Sequence, residues 1–192
     1  MKSTLNLTAE LEGIIADVVR CTEEFSHIDT SRLLVCVSTT RNGGVHGVHA
    51  KIHPLRFPGG ARSIEIRRRK RTCTCTMPTI TDRGNDILYL IYFLIPRFLD
   101  MPLREKLITI FHELYHISPA FDGDIRRFPG RNYAHGSSTR HYNQLMGVMV
   151  DRYLEEASGP HIEFLKNDLA GHRAKHGAIV ARKHPVPRLR IS

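Results

Sequence analysis

A chain of 192 residues has room for one domain whose core needs no disulfide staples, and 41% apolar with 24% charged residues excludes a disordered or collagen-like protein. Its 28 basic against 19 acidic residues leave a formal charge of +9, which suggests attraction to polyanions without specifying a fold. The most apolar run, Ile87 to Pro96, is far shorter than the roughly 20 residues of a membrane span, and the opening MKSTLNLTAELEG lacks the apolar stretch of a secretory signal, so a cytoplasmic protein is expected.

Taken in chain order, Leu11, Ile14, Ile15, Val18 and Val19 recur at helical spacing and predict an amphipathic helix over Thr8 to Phe25, with Thr8 as its N-cap. Leu33 to Val37 reads as a buried strand, and the Gly- and Pro-rich segment from Arg41 to Ala61 as a long loop or irregular hairpin. Ser63 to Cys75 is the next strand candidate. It carries five consecutive cations, Arg67 to Arg71, which expose charge on both faces and so predict an edge or a projecting hairpin. Cys73 and Cys75, two apart, should share one face, as a metal pair or as two small strand side chains. Four irregularly spaced cysteines do not form a disulfide framework, and reduced thiols are expected. Ile87 to Ile95 predicts a third strand, ended by Pro96.

Leu103, Leu107, Ile110, Leu114 and Ile117 keep a three-and-four spacing that predicts a central helix over about 101–117. A further helix capped near Ser137 or Ser138 should carry Tyr142, Met146, Met149 and Tyr153 on one stripe, and a last helix should run from His161 to His172. From Gly171 the chain holds Arg173, Lys175, Arg182, Lys183, Arg188 and Arg190 and no acid. The expected organisation is one domain over 1–170 and a basic, flexible tail over 171–192, and the expected fold class is α+β, a small mixed sheet beside the central helix with further C-terminal helices.

The central helix contains His112-Glu113-Leu114-Tyr115-His116, an H-E-x-x-H sequence. Residues four apart lie one helical turn above each other, so His112 and His116 can offer imidazole nitrogens to one ion, while Glu113, a step round the helix, stands where a general base for water must stand. At about 100° per residue both histidines point away from the apolar stripe, toward a cleft. Catalytic zinc takes three protein ligands. Asp122 has the spacing of the third ligand in the extended H-E-x-x-H-x-x-G-x-x-H/D motif, but Pro119 occupies the position where that motif turns on Gly. His135, followed by Gly136 just ahead of the next helix, can face back onto the central helix and is the better candidate, with His141 as fallback. Asp122 and Asp124 would then orient a ligand imidazole or simply shape the turn. Tyr133, Arg140, His141 and Tyr142 are candidate oxyanion donors, Tyr142 equally a core residue; Arg126 and Arg127 either meet acidic substrate or hold the loop. His46, His49 and His53 could form a second metal site.

HELYH with a separate downstream HG resembles the SprT-like and related minimal zincin metallopeptidases, and the longer string from HELYHISPAFDGDIRRF to GRNYAHGSS is similar to a phage-type metallopeptidase family, over roughly Ile87 to Glu156. The resemblance implies a minimal zincin-like fold, a zinc cofactor on His112, His116 and His135, Glu113 as base, and a protein or peptide substrate. The chain lacks the C-terminal four-cysteine ribbon of SprT proteins. Two other readings use the same residues: a nucleic-acid-binding module with structural zinc, and a metal-dependent endoribonuclease of the YbeY type, whose spacing would put its last ligand at Asp122. The Arg67 to Arg71 run and the basic tail are expected to give weak, sequence-independent contacts to nucleic-acid phosphates.

Overall fold

In the computed structural model, which describes residues 2–40, 47–68, 71–128, 139–156 and 159–192, strand β1 (Thr4–Asn6) leads straight into helix α1 (Leu7–Cys21). The helix starts and ends earlier than its periodicity suggests. Asn6 caps it, its side chain accepting from the Ala9 N–H at 3.2 Å, and Thr8 is left inside the first turn, where its hydroxyl accepts from the Arg182 N–H at 2.7 Å. Leu11, Ile14, Ile15 and Val18 are buried as their spacing requires.

Seven strands follow: β2 (Leu33–Thr39), β3 (Ala50–Pro54), β4 (Ser63–Arg68), β5 (Arg71–Thr76), β6 (Thr81–Asp82), β7 (Asn85–Asp86) and β8 (Tyr89–Ile95). The central sheet has the order β2-β8-β3, with β2 parallel and β3 antiparallel to β8. β8 is apolar almost without interruption because both its faces are covered. Tyr89, Ile91 and Phe93 join Val35 and Val37 in the main core under the helices, while Leu90 and Tyr92 join Leu34, Cys36, Leu55 and Ile87 in a smaller cluster on the reverse. β3 is the strand that sequence periodicity passes over: AKIHP is five residues long, half polar, and set among glycines and prolines.

Helices α2 (Leu103–Tyr115), α3 (Thr139–Glu156), α4 (Pro160–Leu165) and α5 (Leu169–Lys175) and strands β9 (Ala178–Val180) and β10 (Arg190–Ile191) complete the chain. The single helix expected from His161 to His172 is two. Lys106, fully buried on α2, donates to the carbonyls of Leu165 and Asn167 at 2.7 and 2.8 Å and so closes α4, and Asp168 then caps α5 by accepting from the Gly171 N–H. Burial pushes the Lys106 ammonium down to about 8. The α+β expectation holds, with a small mixed sheet beside α2 and further helices toward the C-terminus.

The last segment, expected to be flexible, is placed by main-chain hydrogen bonds that composition does not reveal. β9 pairs in parallel with β1, the Val37 N–H donates to the Arg182 carbonyl at 2.8 Å, the Tyr92 hydroxyl donates to the Pro185 carbonyl at 3.1 Å, and β10 pairs with β5. Arg182 also bonds Glu12 and the Val35 carbonyl, so the C-terminal segment runs along the outer edge of β2. The opposite edge of the sheet belongs to β3. Since His49–Leu94 and Leu55–Leu88 are hydrogen-bonded across to β8, alternation turns the backbone groups of Ala50 and Ile52 outward, toward α2.

Candidate active site

α2 lies against this edge with Leu107, Ile110, Phe111 and Leu114 buried, and its two histidines meet Tyr142 of α3. The His112 and His116 rings stand one turn apart, with centroids 4.7 Å apart and planes at 77°. Tyr142 of α3 forms a wall beside them. Its ring is 4.8 Å from that of His112 and stacks on that of His116 at 5.6 Å, and its hydroxyl donates to the His112 carbonyl at 3.4 Å. Tyr142 is 3% exposed, and burial raises its phenol far above the usual range. Of the two sequence readings of Tyr142, the core residue is what its burial shows, and its ring also touches both histidines.

Glu113 reaches the edge strand β3. It is 7% exposed, and its carboxylate accepts from the outward-facing Ile52 N–H of β3. Burial pushes the carboxyl up to about 7, against the opposing pull of the Ile52 N–H. This bond from edge strand to acid is a feature no sequence pattern discloses, although the alternation of Ala50 and Ile52 with Lys51 and His53 marks a half-buried strand in retrospect.

Past α2 the chain doubles back. Ile117 pairs with Ile125, the Ser118 N–H donates to the Asp124 carbonyl, and the Arg126 N–H donates to the His116 carbonyl at 2.6 Å. The reversal uses positive φ at Phe121 (49°) and Gly123 (89°) in place of a glycine at the position of Pro119. Asp122 sits at this turn, its side chain accepting from the Asp124 N–H at 3.1 Å. Asp124 pairs with Arg127, and Arg126 lies over the Tyr115 ring at 4.1 Å while its Nε donates to the Tyr115 carbonyl. Arg126 and Arg127 thus hold the loop. A Cβ at Gly123 would collide with the Arg56 side chain, in a backbone conformation that already favours glycine. Gly123→Ala is therefore expected to cost about 2 kcal/mol, read as a lower midpoint in urea unfolding with an unchanged slope.

Among the described residues no group of three His, Cys, Asp or Glu is placed to hold a metal, so Asp122 does not join the two histidines. His135 and Tyr133 lie outside the described residues, as do the side chains of Arg140 and His141. His49 and His53 are four residues apart along an extended segment, about 13 Å, too far to share an ion, and His46 lies outside the described residues. Cys73 and Cys75 share a face with Ile66 and Ile64, their partners across the hairpin, as two small strand side chains. All four cysteines are free.

The family described as "Putative phage metallopeptidase" matches residues 5–147. The chain belongs to this family. No curated protein and no solved structure matches it. The matched span runs from β1 through the central sheet and α2 into α3, and so includes both histidines, Glu113 and the edge strand that binds it. The family's description suggests a metallopeptidase, and with it a protein or peptide substrate and a metal cofactor. Among the described residues no helix is long and apolar enough to cross a membrane.

Proposed function

We propose that the chain is a zinc-dependent peptidase in which His112, His116 and His135 hold the ion and Glu113 is the general base. The observation that carries this reading is the arrangement on α2: two imidazoles stand one turn apart with the Tyr142 ring against both, while the carboxylate of the intervening acid accepts from the Ile52 N–H of β3. Neutral imidazoles suit zinc, and an acid so anchored stays outside the ligand set, which leaves one coordination position open. A zinc ion there supplies Lewis acidity toward the scissile carbonyl and lowers the pKa of water. Glu113 takes a proton from the attacking water and passes it to the leaving amine nitrogen. The minimal zincin fold of SprT-like proteins is the architecture this reading assigns, and the four free cysteines are in keeping with the reducing cytoplasm.

Metal analysis of protein purified without chelator should find about one zinc per chain. Cleavage of unfolded casein should cease with 1,10-phenanthroline and return with added zinc. Zinc-free protein, or cleavage that persists in chelator, would overturn the proposal.

A further inference from the structure

The basic hairpin and the basic C-terminus, far apart in sequence, are strands of one sheet. Its order is β10-β5-β4, and it is separate from the catalytic sheet. β10 covers only the base of the hairpin: Arg190 faces Thr76, Ile191 faces Cys75, and the Ser192 N–H donates to the Thr74 carbonyl. The remainder, in which Arg67 faces Thr72 and Arg68 faces Arg71, extends past β10 as a two-stranded ribbon.

Register then fixes the charge pattern. Thr72 and Thr76 are an even number of residues apart on β5, so Arg67 and Arg190, their partners on either side, lie on the same face. Four residues of strand separate their rows, about 13 Å. Glu65, opposite Thr74, lies midway between the rows. Arg71 is on the reverse face, and Arg188 precedes β10. All four arginines are exposed, and among the described residues none of them enters an ion pair. Arg56, Arg104, Arg127, Arg152 and Arg182 each meet an acid, while Arg173, Lys175 and Lys183 are exposed and, like the four arginines, enter no ion pair among the described residues. What sets this sheet apart is that its register brings such arginines together from two segments distant in sequence.

We propose that the β10-β5-β4 sheet is a docking surface for duplex DNA, in which the hairpin enters the major groove and Arg67 and Arg190 meet phosphates on its two banks. A two-stranded ribbon fits that groove, whose width of about 12 Å matches the spacing of the two arginine rows. Glu65 then lies over the middle of the groove, away from the phosphates. The contacts are to the backbone, so the binding is independent of sequence, and it lies on a sheet other than the one that carries the peptidase site. It would keep the enzyme near proteins bound to the same duplex.

The test is fluorescence anisotropy of the full chain with a labelled duplex of about 20 base pairs. Two phosphate contacts predict a roughly tenfold loss of affinity between 50 and 200 mM salt. Arg67→Ser with Arg190→Ser should weaken binding at 100 mM salt by at least about tenfold, whereas Arg173→Ser with Lys175→Ser, an equal change of charge on α5, should leave it within about twofold. Both variants should keep the thermal transition of the wild type, because the substituted side chains are exposed. Absence of binding at 50 mM salt, equal losses from the two double variants, or equally tight binding of polyglutamate would each overturn the proposal.

Discussion

Glu113→Gln is expected to lower kcat for peptide hydrolysis by about 10³-fold while leaving the zinc content of the protein unchanged. The substitution is nearly isosteric, and the amide oxygen can still accept from the Ile52 N–H, so the packing of α2 against β3 survives. What is lost is the basic oxygen that receives the proton of water and returns it to the leaving nitrogen. Because that proton transfer belongs to the chemical step, the loss should appear in kcat, with KM little changed. Steady-state kinetics on a fluorogenic peptide together with metal analysis of the same samples decides the matter. A Gln variant as active as the wild type removes Glu113 from the mechanism, and one that is inactive but also metal-free assigns the acid to the ligand set.

His112→Ala, His116→Ala and His135→Ala should each weaken zinc binding by more than about 100-fold, since each would remove one of the proposed ligands. Asp122→Ala should leave zinc binding intact, because the Asp122 carboxylate is committed to its own turn through the Asp124 N–H. Zinc that binds only the folded chain stabilises it by about 2.7 kcal/mol at a hundredfold excess over Kd, so the wild type and Asp122→Ala should show a zinc-dependent rise in Tm that the three histidine variants lack. If Asp122→Ala loses that rise and His135→Ala keeps it, the third ligand is the aspartate.

The two tests weigh observations of different origin. His112, Glu113 and His116 are legible in the sequence because a helix repeats every 3.6 residues, so spacing alone places two side chains on one face and the acid beside them. The apolar stripes of α1, α2 and α3 and the buried runs of β2 and β8 are legible for the same reason, as local periodicity or sustained apolarity. Less local features were misread. The helix expected from His161 to His172 is interrupted because Lys106, some sixty residues earlier, captures its carbonyls, and α1 begins at Leu7 because Asn6 caps it and Thr8 is taken up by Arg182.

The sequence by itself determined which helix carries two imidazoles one turn apart, which acid stands beside them, the α+β class, and the clustering of basic residues in two segments. Only the tertiary structure decided how these parts meet. It presents the short strand β3 to α2 so that the Ile52 N–H holds Glu113, stacks Tyr142 on His116, covers the edge of β2 with the C-terminal segment, and joins the two basic segments in one sheet. The physical reason is the same in each case. These are main-chain hydrogen bonds and ring contacts between residues distant along the chain, and their partners are selected by how sheets and helices pack rather than by any periodicity within a segment.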